Sequence, residues 1–135
     1  YKVTTQLDRM GVRLEGMALL HVSMAAADIV SDGVTPGSIQ VPGNGQPIIL
    51  LADAQTVGGY PKIATVISAD LPSLGQAKPG DTIRFSAVTV HEAREALIAR
   101  EMRWSEWAAG VKFGLPDPCS MSDDIAYGWL GREEC

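Results

Sequence analysis

Apolar and polar residues alternate in short runs along most of the chain, which is the pattern of β-strands with one buried face. These runs predict strands at residues 1–5, 12–15, 38–41, 62–69 and 82–90, and a further short strand at 28–31. Residues 47–52 (PIILLA) are apolar throughout and predict a strand buried on both faces. Turn residues such as the Pro-Gly-Asn-Gly at 42–45 separate the runs. The pattern therefore predicts a mostly β protein, built as a closed antiparallel barrel or a sandwich.

One long helix is predicted after the last strand. Thr89 and Glu92 have the spacing of a capping box, so we expect a helix that starts there and spans residues 91–107. Its apolar positions share one helical face and are Ala93, Leu97, Trp104 and Ala108. We therefore expect a barrel domain at residues 1–100, followed at 101–135 by the end of the helix and an irregular tail that is ordered poorly or only by docking.

The connection between the strands at 47–52 and 62–69 is long and polar. It reads DAQTVGGYP over residues 53–61, whereas an ordinary hairpin loop has about two to five residues. Gly58 and Gly59 lack Cβ atoms and can adopt positive φ, so their amides can form a nest for a carboxylate, a phosphate or a developing oxyanion. The alternative is that the two glycines only turn the chain.

Polar side chains flank the strand predicted before this connection. Gln46 precedes that strand, and Asp53 and Gln55 follow it. Glutamine amides can recognise a substrate that carries both N–H and C=O, such as a urea or a lactam, and Asp53 can accept a proton. The alternative for Asp53 is backbone capping of the turn. Tyr60, which precedes Pro61, is expected to be extended and is either a substrate platform or a packed turn aromatic.

Composition and charge exclude several classes of function. The 135 residues are 46% hydrophobic and 20% charged, which suits one globular domain, and the net charge of −5 argues against binding to nucleic acid. No apolar stretch is long enough to cross a membrane and no signal-peptide pattern occurs, so a cytoplasmic protein is expected. Cys119 and Cys135 have no nearby histidine, so no metal site is expected. The chain begins at Tyr1 without a methionine, which suggests a piece of a longer protein.

Three segments, taken in order, carry a resemblance to a known family. They are DRMGVRLEG, then SDGVTPGSIQVPGNGQPIILLADAQTVGGYPKIATVISADL, then PGDTIRF. Over about residues 1–97 the chain resembles the C-terminal half of the biotin-dependent carboxyltransferase family, which includes allophanate hydrolase subunit 2 and the C subunit of 5-oxoprolinase. Many members of that family have Thr-Thr-Gly-Gly-Tyr-Pro where this chain has Thr56-Val57, so a hydroxyl beside the glycine pair is absent here.

The resemblance implies a cyclophilin-like closed β-barrel and part of an enzyme that works with a partner subunit or a fused domain. The implied reactions are carboxyl transfer from carboxybiotin to a urea nitrogen and the ATP-dependent opening of a lactam. Biotin or ATP would then act through the partner domains, with no cofactor bound directly by this chain. The site candidates carried over by motif are Gln46, Asp53, Gln55, Gly58, Gly59, Tyr60 and Pro61, with Arg9 and Arg13 as more distant candidates. Asp53 and Gln55 are the expected catalytic residues.

A non-catalytic role is the alternative hypothesis. Trp104 and Trp107 lie on an otherwise polar predicted helix, and tryptophan is favoured at the anchors of protein interfaces. Some relatives are thought to regulate a partner by counteracting an inhibitor of a sporulation kinase, and the resemblance extends this possibility to the present chain. A further alternative is that the domain only supports a site located elsewhere in a longer protein.

Overall fold

The computed structural model describes residues 1–110. Its strands in chain order are β1 (Lys2–Leu7), β2 (Gly11–Glu15), β3 (Asp32–Gly33), β4 (Ser38–Gln40), β5 (Ile48–Leu50), β6 (Val57–Gly58) and β7 (Lys62–Thr65). A 3-10 turn spans Met24–Ala27, and the helices are α1 (Leu71–Leu74) and α2 (Val90–Gly110). The expected tail and both cysteines fall at 111–135, outside the described residues.

The strands form one five-stranded sheet and one small ribbon. The sheet has the order β1-β2-β5-β4-β7 with every neighbouring pair antiparallel, and β3 pairs with β6 in the ribbon. The prediction of a mostly β protein with one longer helix is confirmed. Alternation placed β1, β2, β4 and β7, and the apolar run placed β5, within or close to their observed bounds.

The closed barrel is not observed in residues 1–110, because β1 and β7 are the two edges of an open sheet. The predicted strand at 82–90 contributes only an isolated bridge between Thr82 and Lys2. Backbone pairing there ends with Ile83, whose N–H donates to the carbonyl of Tyr1 at 2.8 Å. Residues 84–90 keep their alternating sequence but have no neighbouring strand in the described chain, and the barrel therefore stays open between them and β7.

The two faces of the sheet are buried by different layers. One face carries the apolar core, made of Val3, Val12, Leu14, Ile39, Ile49 and Leu74. Full burial of a valine, leucine or isoleucine side chain contributes about 1.5–3 kcal/mol to the stability of the fold. Alternation along β4 turns Ser38 and Gln40 to the other face, where both are only 2% exposed. Buried polar side chains at that position point to a second covering layer.

Helix α2 begins with the predicted capping box. Glu92 accepts the backbone N–H of Thr89 at 2.6 Å, and the Thr89 hydroxyl accepts the N–H of Glu92 at 3.2 Å. The hydrogen bonds from the Thr89 backbone and hydroxyl lower the pKa of Glu92 below its ordinary value. The chain divides into two units between Ala99 and Arg100, within this helix. The assignment of residues 1–100 and 101–135 to a barrel domain and a tail stays a prediction.

No helix in the described part of the chain is long and apolar enough to cross a membrane.

Candidate functional site

The long connection between β5 and β7 has a topological cause. Both strands are antiparallel to β4, which lies between them, so β5 and β7 run in the same direction. Residues 51–61 must therefore return along the whole length of the sheet before β7 can begin, which a short hairpin turn cannot do. We call residues 51–61 the crossover. Its length and its glycines have a structural explanation before any function is considered.

Three backbone hydrogen bonds fix the crossover onto the rest of the fold. Its carbonyl groups at Thr56, Gly59 and Pro61 accept the N–H groups of Val34 at 2.9 Å, Ile29 at 2.8 Å and Val41 at 3.0 Å, respectively. Within it, β6 pairs with β3 through Val57 and Gly58. The crossover and residues 29–34 together form the layer that covers the second face of the sheet.

Gly58 is required by the close approach of a buried side chain. The Gln40 amide nitrogen lies 2.5 Å from the place where a Cβ atom on residue 58 would stand, and Gln40 is 2% exposed. The same nitrogen donates to the carbonyl of Tyr60 at 3.4 Å, a long hydrogen bond. Gln40 therefore occupies the space beside Gly58 in which a substrate was expected.

A positive φ angle is the other reason why a position requires glycine, and neither Gly58 nor Gly59 has one. Among the described residues, positive φ occurs at Gly37, Gly45 and Gly80, and not at Gly58 or Gly59. The predicted nest of left-handed glycine amides therefore does not form at this point. At Gly59 an added Cβ would be 3.5 Å from the carbonyl oxygen of Ile29, an ordinary contact.

Gln46 and Asp53 lie at opposite ends of β5. Gln46 precedes the strand by two residues and Asp53 follows it by three, so they are separated by roughly 15–20 Å. The Gln46 amide makes two hydrogen bonds to one residue, accepting the N–H of Gly16 at 2.9 Å and donating to its carbonyl at 3.2 Å. The structure therefore does not bring these two predicted site residues together, and it gives Gln46 a structural role beside β2.

The beginning of the crossover carries an exposed polar cluster. A carboxylate oxygen of Asp53 lies 3.4 Å from the Arg9 guanidinium, and the two side chains are 51% and 90% exposed. Gln55 is also exposed, as is Tyr60 (41%) near the other end of the crossover, whereas Pro61 is half-buried. In the described chain the side chains of Gln55 and Tyr60 make no hydrogen bond, so their polar groups are available to a ligand or to another polypeptide.

Lys62 anchors the far end of the crossover and was not singled out by sequence reasoning. Its ammonium group donates to the Asp32 carboxylate at 2.6 Å and to the carbonyl of Gly33. The hydrogen bond from Lys62 is the largest cause that lowers the pKa of Asp32 below its ordinary value, ahead of the hydrogen bond from the Gly33 backbone. A single lysine thus fastens β3 to β7. Sequence patterns could not reveal this ion pair, because Asp32 and Lys62 are 30 residues apart in the chain.

Two cavities occur away from the crossover. The smaller, of about 340 Å³, is lined by Arg13 and Gln46 among others. The larger is an apolar groove of about 1160 Å³ between β7 and residues 82–90. Neither of these two cavities is lined by a residue of 53–61, and the expected hollow for a small amide beside this stretch stays a prediction.

The expectation that this chain binds no cofactor directly stays a prediction. The basic side chains at the two ends of the crossover, Arg9 and Lys62, are paired with Asp53 and Asp32. Residues 1–110 also contain no cluster of three His, Cys, Asp or Glu side chains that could hold a metal ion.

Comparison with known proteins gives a consistent set of relatives. Residues 1–87 match the protein family described as carboxyltransferase domain, subdomain A and B. The chain is 54% identical over 86 residues to the C subunit of 5-oxoprolinase from Haemophilus influenzae, covering 64% of this chain and 27% of that protein. It is 44% identical over 96 residues to the C subunit of 5-oxoprolinase from Escherichia coli strain K12, covering 71% and 30%.

A solved structure supports the fold. The crystal structure of the K. lactis urea amidolyase superposes with a TM-score of 0.72 at 27% identity, covering 78% of this chain and 7% of that one. The present chain therefore spans less than a third of the curated relatives that it matches, and a far smaller share of this solved structure.

Proposed function

The chain belongs to the carboxyltransferase domain family, and on that premise we propose that it supplies one surface of an enzyme site for a small amide, a urea or a lactam. The site would be completed by a partner subunit or a fused domain. The observation that supports this most is that the beginning of the crossover exposes the Arg9–Asp53 ion pair together with the Gln55 side chain, which makes no hydrogen bond in the described chain.

Each residue of the cluster would have a separate task. Gln55 offers both a donor and an acceptor, which matches the N–H and C=O of an amide. Asp53 is the proton acceptor or orients a neighbouring donor, and Arg9 pairs with its carboxylate at 3.4 Å. Gly59 and Tyr60 lie toward the other end of the crossover, so a small substrate at Asp53 would not touch them. We assign Gly58 to packing against Gln40.

The reaction is either ATP-dependent opening of a lactam or carboxyl transfer to a urea nitrogen. We favour the lactam, because the relatives with 54% and 44% identity are both named as the C subunit of 5-oxoprolinase. ATP or carboxybiotin would be bound by the partner domains. The cytoplasmic location expected from the sequence stays a prediction.

A chimera tests this proposal. The 86-residue matched segment of the Haemophilus influenzae relative is replaced by the corresponding residues of this chain, and the complete enzyme is reconstituted with its other subunits. We expect ATP-dependent cleavage of 5-oxoproline, with Gln55→Ala and Asp53→Asn each lowering kcat/KM by about 100-fold or more. Tyr60→Phe serves as the matched control and should stay within about twofold.

Two results would contradict the proposal. If Asp53→Asn and Gln55→Ala leave the chimera fully active, this cluster is not part of the site. If the reconstituted chimera cleaves no 5-oxoproline but carboxylates urea when paired with a urea amidolyase biotin carboxylase, the lactam assignment is wrong and the carboxyl-transfer assignment takes its place.

A binding module that regulates a partner protein is the second candidate. Trp104 and Trp107 on α2 are 60% and 62% exposed, and their rings stack edge to face with centroids 5.6 Å apart. Exposed tryptophan pairs are typical interface anchors. Tight binding to a partner subunit that is lost in Trp104→Ala, without any turnover in the complete complex, would favour this candidate.

A further inference from the structure

The smaller cavity lies on β1, β2 and the turn before β5, and the reaction proposed above does not use it. It holds about 340 Å³, which is within the usual range of small-molecule pockets. Its lining residues come from three segments, 4–6, 13–15 and 44–48. Three separate parts of the chain therefore converge on one hollow with many polar groups.

A bulge in the edge strand β1 borders this cavity. The pairing register shifts between Val3 and Leu7, so that residues 4–6 of β1 stand opposite the single residue Arg13 of β2. A bulge bends its strand and re-aims side chains, and such bulges are frequent at sheet edges and beside binding sites. The recess beside Arg13 is thus built into the strand pairing itself.

One wall of the cavity carries a positive and a negative side chain. Arg13 and Glu15 both line it and are exposed. Because strand residues alternate, these two point to the same face of β2, about 6–7 Å apart along the strand, whereas Val12 and Leu14 are buried in the core. Within the described chain neither Arg13 nor Glu15 forms an ion pair. Two opposite charges are therefore presented to the same hollow without neutralising each other.

Hydrogen bonds fix the polar rim around this pair. Gln46 is held by its two hydrogen bonds to Gly16, at 2.9 and 3.2 Å. In the bulge, the Gln6 N–H donates to the Thr4 hydroxyl at 3.2 Å. The side-chain oxygen of Asn44 accepts the N–H of Gln46 at 3.0 Å, which leaves its NH₂ group without a partner in the described chain. The rim is thus ordered and still offers a donor to a ligand.

We propose that this cavity binds a free α-amino acid in its zwitterionic form. The Arg13 guanidinium has the planar fork that binds a carboxylate through two parallel hydrogen bonds. Glu15 accepts hydrogen bonds from the ammonium group, and the NH₂ group of Asn44 donates to a further oxygen. Pro47 and Ile48 line the same cavity and provide apolar contact for the aliphatic carbon atoms of the ligand.

The charge pattern discriminates against simpler ligands. A dicarboxylate or a phosphate would pair with Arg13 but would also place negative charge beside Glu15. A simple amine would pair with Glu15 and be repelled by Arg13. A lactam has no ammonium group, so the ligand of this cavity differs from the substrate proposed for the Arg9–Asp53 pair. This inference does not depend on the proposed reaction.

An NMR titration of the 135-residue chain with L-glutamate tests the inference. L-Glutamate is a suitable amino acid because hydrolysis of 5-oxoproline releases it. We expect saturable amide shifts at residues 4–6, 13–15 and 44–48, with a Kd of about 1 mM. Glutarate, which keeps both carboxylates and lacks the ammonium group, should bind about tenfold or more weakly.

Substitutions of the two charged residues separate their roles. Arg13→Gln and Glu15→Gln should each weaken L-glutamate binding by about tenfold or more, and Glu15→Gln should not weaken glutarate binding. Arg13→Lys keeps the charge without the fork and should have an intermediate effect. Arg94→Gln is the matched control, because it removes one positive charge at an exposed position outside the cavity and should leave the affinity unchanged. Dispersed amide spectra verify that each variant is folded.

Three results would overturn the inference. Equal affinities for glutarate and L-glutamate would make the cavity a site for anions in general. Saturable shifts at residues 53–61 instead would assign the amino acid to the crossover. Absence of any saturable shift up to about 10 mM would leave Arg13 and Glu15 as solvated surface charges. None of these measurements involves turnover, so loss of activity in the chimera would count against the proposed reaction alone.

Discussion

The crossover and the open edge of β7 lie close together on the sheet and differ in almost every respect. The crossover is rich in glycine and polar residues, yet its middle is closed by the Gln40 side chain and by three backbone hydrogen bonds. Residues 82–90 have an ordinary sequence, yet they border an apolar groove of about 1160 Å³. Unusual composition therefore marked a packing requirement here, and the open surface lies where residues 84–90 have no strand partner within the described chain.

The groove can be probed from its floor and its rim. Ile39→Ala should lower the free energy of unfolding by about 2–4 kcal/mol, because Ile39 is 5% exposed and belongs to the core. Val88→Ala on the rim should change it by less than about 0.5 kcal/mol. Urea unfolding of the 135-residue chain measures both, and a large effect at Val88 would mean that the groove is closed.

The two glycines of the crossover give a matched pair. Gly58→Ala should cost about 1–3 kcal/mol, because the new Cβ would stand 2.5 Å from the Gln40 amide and burial prevents that side chain from swinging aside. Gly59→Ala should cost much less, since its nearest atom is 3.5 Å away. Thermal unfolding of the two variants decides the comparison, and equal losses would refute the packing explanation for Gly58.

Coupling between Gln40 and Gly58 sharpens that result. If the clash is with the Gln40 side chain, Gly58→Ala should cost about 1 kcal/mol less in a Gln40→Ala background than in the wild-type protein. Gln40→Ala itself is destabilising because it empties a buried position, so only the double-mutant cycle isolates the contact. Purely additive losses would show that the two residues do not interact.

The smallest expected effect concerns pH. Lys62 lowers the pKa of Asp32 below its ordinary value of 3.8, so the stability that this pair contributes is present above that value and is lost as pH falls through the lower, folded pKa. In Lys62→Met the pKa of Asp32 should move back upward, which an NMR titration of its carboxyl group would detect. If the pKa of Asp32 is the same in Lys62→Met, the assignment of Lys62 as the residue that holds β3 would be wrong.

Local sequence patterns predicted the elements well and their arrangement poorly. The alternation in residues 12–15 and the Thr89–Glu92 spacing are visible because each is decided within a few residues. The parallel relation of β5 and β7 is decided by which strands pair across the sheet. For that reason the sequence alone does not distinguish a long structural connection from a site in residues 51–61.

The candidate site shows the same limit. Gln46 and Asp53 are close in sequence but are separated by the length of β5, and Gln40 was overlooked because a glutamine in an alternating strand normally faces solvent. The predicted closed barrel is not observed in the described chain for a related reason. An alternating segment such as 82–90 becomes a strand only where a partner strand is present.

One edge of β7 pairs with β4 and the other is open, and amide hydrogen exchange of two adjacent residues tests this contrast most directly. In the 135-residue chain, the Val66 amide should be protected by its hydrogen bond to Gly37, and the Thr65 amide should exchange about 100-fold or more faster. Comparable protection of Thr65 and Val66 would contradict the account, because β7 would then already be paired on both sides.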